Sequence, residues 1–223
     1  MLEKLKSVLR KNGYKLMSRP YELNIVGIRS KQTKANSFDD EIHVFYKVHP
    51  LRWHYHIYKA TTDPGTFWLE HPMESQGTAI LAQGQYVNAY KLGLHRGQYK
   101  ALVQRKPVTI MRDYDRNAVL DFANGQKQRG VFGINIHHAS SSGKTKYVNK
   151  YSAGCQVFSN ISNFYEFMQL CEKHQSLYGN NFTYTLLDFR AIRREKLKRI
   201  GMAAVALGLG IASYLNFKSN KHK

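Results

Sequence analysis

Between Tyr21 and His137 the chain is written in short apolar-alternating runs separated by turn residues. Residues 23–29 (LNIVGIR) are β-branched, and residues 42–46 (IHVFY) and 54–60 (HYHIYKA) alternate in the way half-buried strands do. Thr62-Asp63-Pro64-Gly65 forms a turn, because Pro presets one central φ and Gly permits an unusual one. Residues 66–69 resume a strand. Residues 77–82 and 99–104 are strands that bracket a turn-rich, aromatic stretch, 84–97. Residues 108–112 (VTIMR) precede a polar turn at 113–117, and 133–137 (GINIH) read as a short buried strand. Residues 159–175 switch to helical period, with Ser159 and Asn160 as caps and Phe164, Phe167, Met168 and Cys171 on one stripe. Residues 182–187 (FTYTLL) return to strand. This order predicts an α/β, β-dominated domain over 20–189 with one late helix.

The flanks differ. Residues 1–19 form a basic segment in which Leu2, Leu5, Val8 and Leu9 share a helical face, with Gly13 as a stop; docking on the domain is expected. Residues 200–217 (IGMAAVALGLGIASYLNF) are eighteen uncharged residues between Arg199 and Lys218, and predict a transmembrane helix within a C-terminal segment, 190–223. No signal peptide is visible in the basic first thirty residues. The formal net charge is +19, but the central domain carries only 19 basic against 13 acidic residues. The excess therefore sits at the ends, beside the apolar segment, which suits an anionic membrane surface and disfavours nucleic acid. Basic residues at 190–199 favour keeping that end cytoplasmic. Two cysteines exclude a disulfide-stapled scaffold.

The informative window is 133–158, GINIHHASSSGKTKYVNKYSAGCQVF. Cys155 follows the small-residue turn Ser152-Ala153-Gly154, and His137 ends a strand eighteen positions earlier. A thiol becomes a nucleophile when a base takes its proton, and imidazole suits that work near neutrality. Gly154 lets the N–H groups of residues 154 and 155 turn toward a developing oxyanion, and Ser152 bonds across the turn or touches substrate. Cys171, on the apolar helix stripe, is the inert cysteine by comparison.

These residues resemble the YkuD-type L,D-transpeptidase domain, in which a strand ending in His is followed by a loop and a Ser-x-Gly-Cys turn. Here the match is Ile136-His137-His138 and Ser152-Ala153-Gly154-Cys155, with Thr61-Thr62-Asp63-Pro64-Gly65-Thr66-Phe67 similar to the family's Thr-Pro-x-Gly-x-Phe turn, Asp63 being inserted. The chain departs from the family at Ala153, where His or Arg is common, at Gln156-Val157, and at His138, where Gly is common. The resemblance implies a β-sandwich or barrel that acts on peptidoglycan stem peptides through a Cys155 thioester. It implies His137 as base and then acid, the His138 carbonyl as orienter of its ring, and Ser152 with the Gly154 and Cys155 N–H groups at the oxyanion. The chain also resembles bacteriophage-related sequences, which implies lysis or wall penetration, with hydrolysis or transpeptidation as the outcome. The location implied is the bacterial cell wall or inner membrane. No cofactor is implied.

Tyr86, His95 and Arg96, in glycine-bounded turns, are candidate substrate contacts. His54 and His56 have two-His metal spacing but no completing ligand nearby, so they read as structural and no metal site is expected. Asp113 and Asp115 read as turn formers. The competing functions are a catalytically inactive wall- or membrane-binding module of the same fold, and a nucleic-acid binder.

Overall fold

The computed structural model describes residues 1–122 and 125–189. In chain order its elements are α1 (Leu2–Lys11), β1 (Asn24–Arg29), β2 (Asp40–His49), β3 (Arg52–Thr61), α2 (Thr66–Glu70), β4 (Thr78–Leu81) and β5 (Gly84–His95). There follow β6 (Tyr99–Gln104), β7 (Val108–Asp113), β8 (Lys127–Gly130), β9 (Ile136–His138), a 3₁₀ turn (Asn149–Tyr151), β10 (Gln156–Phe158), α3 (Ile161–Tyr178) and β11 (Phe182–Asp188). The β-dominated expectation holds at this level.

Eight strands close into a barrel in the order β1-β11-β5-β6-β9-β10-β3-β2. The first and last strands pair in parallel, Ile25 with Tyr184 and Ile28 with Leu187. β9 and β10 also pair in parallel, while the long β2–β3 hairpin is antiparallel. A separate three-stranded sheet, β4-β7-β8, stands beside the barrel. The main core joins inward residues of the barrel, such as Tyr90, Tyr184, Ile136 and Phe158, to Phe164, Phe167 and Cys171 of α3. Asn160 caps α3 by accepting the Ser162 N–H at 2.8 Å.

α1 docks on the barrel's outside. Leu5, Val8 and Leu9 are buried against Val26, Ile28, Phe45 and Leu187, as the apolar stripe requires. Lys6 lies over the Trp53 ring at 4.8 Å and pairs with Glu3.

Three expectations are corrected. Residues 66–69 are not a strand but α2: the N–H groups of Trp68 and Leu69 return to the Gly65 carbonyl, and Leu69 is fully buried. Residues 84–97 are not turn-rich: most of the stretch is the twelve-residue strand β5, and Gly93 serves close strand approach, since a Cβ there would lie 2.7 Å from Val103. The transmembrane helix is also corrected. Among the described residues no helix is long and apolar enough to cross a membrane. The eighteen-residue α3 is interrupted by Glu166, Glu172 and Lys173, and the 200–217 segment lies outside the described residues.

Candidate active site

The site grows from the short parallel pair β9–β10. Gln156 is level with Ile136 and Val157 with His137, so Cys155 enters level with Asn135. The Asn135 N–H donates to the Cys155 sulfur at 3.4 Å, and the Cys155 thiol donates to the Gly133 carbonyl at 3.4 Å. Ile136 and Gln156 point into the barrel, so Asn135, His137 and Cys155 belong to its outer face. Along the neighbouring strands His137 is level with Val157, two residues beyond Cys155.

The Cys155 turn is rigid for identifiable reasons. The buried Ser152 hydroxyl donates to the Cys155 carbonyl at 2.8 Å and accepts the Gly154 N–H at 3.1 Å. That bond commits the Gly154 N–H, which corrects its expected role as an oxyanion donor; Gly154 works through its shape. Its φ is +115°, and a Cβ there would lie 2.2 Å from the Ala79 carbonyl oxygen. On the other side the Gly65 N–H donates to the Ser152 carbonyl at 2.9 Å, and the Gly65 backbone passes too close to Asn149 for any side chain.

His137 is buried and held in one orientation. Its Nδ1 lies 2.7 Å from the His138 carbonyl, which only accepts, so the proton sits on Nδ1 and Nε2 carries the lone pair. The Tyr99 hydroxyl lies 3.2 Å from the same Nδ1. His95 stacks on His137 with ring centroids 4.1 Å apart. The Asn135 carbonyl oxygen accepts the Gln104 N–H at 2.9 Å, which turns its amide nitrogen to His95 Nδ1 at 3.1 Å. His95 therefore accepts at Nδ1. Burial pushes His137 down to about 3, with His95 beside it adding to the shift, and pushes His95 down to about 4. Burial pushes the Cys155 thiol up to about 11 against the opposing pull of the Asn135 N–H and Arg96. These shifts hold the Cys155 thiol and the His137 imidazole in their neutral forms.

Arg96 occupies an exposed turn with Gly97, both at positive φ, and its charge acts on both Cys155 and His137. The His138 ring packs between Tyr99 and Phe164, so its carbonyl is what serves His137. Tyr86 is corrected. It lies in the barrel core with its hydroxyl donating to the Ala82 carbonyl at 2.5 Å, and it has no face toward the cleft. Cys171 is fully buried in α3. His56 pairs with Glu166 at 3.1 Å and stacks on Tyr46 and Tyr58. Among the described residues no cluster of three or more His, Cys, Asp or Glu has metal-binding geometry.

Sequence reasoning missed the support behind the turn. Gln156 donates to the Gly154 carbonyl at 3.2 Å and to the Thr62 carbonyl at 3.4 Å, and accepts from the Tyr184 hydroxyl at 2.8 Å. Arg29, itself buried, bonds the same Thr62 carbonyl at 3.2 Å and pairs with Asp63 at 2.7 Å. Asp40 accepts the Thr62 N–H at 2.6 Å. A strand-end Arg and the inserted Asp63 were the available signals, but only the closed barrel brings them under Cys155. Comparison with family models, curated proteins and solved structures finds no match for this chain.

Proposed function

We propose that the protein is a divergent L,D-transpeptidase-like cysteine enzyme that cleaves or exchanges peptide bonds in peptidoglycan stem peptides at the bacterial cell wall. One observation carries the reading: the His138 carbonyl fixes the His137 proton on Nδ1, so Nε2 carries the lone pair, on the strand paired with the one that follows Cys155. The closed barrel with a strand-end His and a Ser-x-Gly-Cys turn supports the same fold family.

The chemistry is general-base rather than ion-pair. With the thiol near 11 and the imidazole near 3, the proton does not leave sulfur in the resting site. It passes to His137 Nε2 as sulfur bonds to the peptide carbonyl carbon. The oxyanion is taken by the Cys155 N–H, because the Gly154 N–H is committed to Ser152. Collapse breaks the C–N bond, and the amine leaves with the proton from His137 Nε2, giving a thioester. Water or a second amine attacks that thioester, again losing its proton to His137, and the thiol is restored.

Incubation with purified peptidoglycan, followed by mass analysis of released muropeptides, tests the reading with Cys155→Ala as control. Products that vanish in Cys155→Ala are expected. Full activity in that variant, or no products from the wild type, overturns the enzyme in favour of an inactive wall-binding module.

A further inference from the structure

A cavity of about 600 Å³ opens beside Ser159, at the end of β10 opposite Cys155. Four stretches of chain frame it, and main-chain pairing ties each to the next. Ser37 bridges Tyr147, the Thr145 N–H donates to the Ser159 carbonyl at 2.8 Å, and the Ser159 N–H donates to the Lys59 carbonyl at 3.1 Å. β2, which follows Asp39, pairs along its length with β3, which carries Lys59. The Ser159 hydroxyl adds a second bond to the Lys59 carbonyl at 3.1 Å. The charge around this frame is one-sided. Lys59, Lys144 and Lys146, all exposed, line the cavity against a single carboxylate, Asp39. Asp39 Oδ2 accepts the Ser30 hydroxyl at 2.5 Å, and Glu41, level with Lys59 on β2, accepts from His43 Nε2 at 2.9 Å. Among the described residues none of the three lysines makes an ion pair. Lys146 Nζ lies 5.2 Å from the Tyr147 ring centroid. Ser159 also stands just ahead of the Asn160 cap, so the positive end of the eighteen-residue α3 meets the rim.

We propose that this cavity is a binding site for a phosphate ester, its phosphate group held among Lys59, Lys144 and Lys146. The inference stands apart from the cysteine-enzyme reading and does not depend on it. A lysine ammonium acts as a point charge and suits a tetrahedral anion approached from several sides, whereas a planar carboxylate is matched best by the fork of an arginine. Three lysines against one carboxylate leave two positive charges, which balance the charge of about −1.5 to −2 on a phosphate monoester near neutral pH. The volume exceeds that of a phosphate group and leaves room for the organic part of the ester. The Thr145 and Tyr147 hydroxyls line the same space and can donate to ester oxygens.

Calorimetric titration of the full-length protein at constant ionic strength tests the site, with glycerol 3-phosphate as probe and glycerol and acetate as controls. Glycerol 3-phosphate is expected to bind with a Kd on the order of 1 mM or below, and the controls are expected not to bind. Lys144→Gln/Lys146→Gln is expected to weaken the binding of the ester about tenfold. Lys91→Gln/Lys106→Gln removes the same charge from exposed positions elsewhere and should change the affinity by less than about twofold. No binding by the wild type, acetate binding as tightly as the ester, or equal weakening in the two double variants would overturn the site. Vesicles of phosphatidylglycerol mixed with phosphatidylcholine separate the sources of the ester. Vesicle binding that glycerol 3-phosphate displaces and Lys144→Gln/Lys146→Gln weakens assigns the site to a lipid headgroup. Vesicle binding that the same variant leaves unchanged, beside the weakened titration, assigns it to a soluble ester.

Discussion

A methyl group added at residue 154 would stand 2.2 Å from the Ala79 carbonyl oxygen, on a backbone at φ +115°. The neighbour is backbone, so the strand carrying Ala79 or the turn itself must shift to admit that methyl. Gly154→Ala is therefore expected to cost about 1–3 kcal/mol in stability and to remove wall-peptide turnover. Denaturant unfolding and the muropeptide assay measure the two effects, and retention of wild-type turnover contradicts the role given to this turn. The thiol offers a second measurement. Burial places Cys155 near 11, and among the described residues no carboxylate or permanent cation makes a direct bond to the sulfur. Its alkylation by iodoacetamide is expected to rise about tenfold per pH unit from 6 to 9 with no plateau, because reactivity follows the thiolate fraction. A plateau near pH 6 would instead reveal a resting thiolate–imidazolium pair. Cys171, fully buried on α3, should stay unlabelled in the native protein, as mapped by peptide mass analysis.

At the scale of elements, α1 covers β1, β2 and β11 on the side of the barrel away from β9 and β10. Leu9→Ala is expected to cost about 2–4 kcal/mol by emptying space between Val26, Phe45 and Leu187, while leaving Cys155 alkylation unchanged. A changed alkylation rate in folded protein would link helix and site. The helix was legible because its apolar spacing repeats over about three turns, and β2 and β3 because residues 42–46 and 54–60 within them alternate. α2 was not: Phe67, Trp68 and Leu69 are a run too short for period to separate helix from strand, and the Gly65 carbonyl decides the outcome. β8 (Lys127–Gly130) escaped because a polar sheet-edge strand has no apolar alternation to betray it. Of the site, His137 and Cys155 were legible from residue type and spacing. The roles of His95 and Gln156 were not, because each depends on strand neighbours 42 and 94 positions away, His137 and Thr62.

For the molecule as a whole, pH acts through two opposed sets of buried groups. His95 and His137 are held near 4 and 3, below their unfolded value of about 6.5, so acid favours the unfolded chain as pH falls below about 6.5. Asp113 is pushed by burial to about 6 and Asp63 to about 7, above their unfolded value of about 3.9. These carboxyls take protons first in the folded state and add stability over the same interval. Asp113→Asn removes one of the compensating groups. Its stability is expected to drop between pH 7 and pH 5 by about 1 kcal/mol more than the wild type's, read from thermal unfolding at both values. An unchanged slope would mean Asp113 is ionised throughout. The parallel pairing of β1 with β11 has a further effect, on time rather than energy. The ring cannot shut until residues 182–188 have been synthesised, so β1, made among the first thirty residues, waits with an unpaired edge while some 150 more are added. Joining β1 to β11 is a slow, long-loop step. During translation the exposed edge of β1 is where another nascent chain can add a strand, and a ribosome stalled before Phe182 leaves the barrel open.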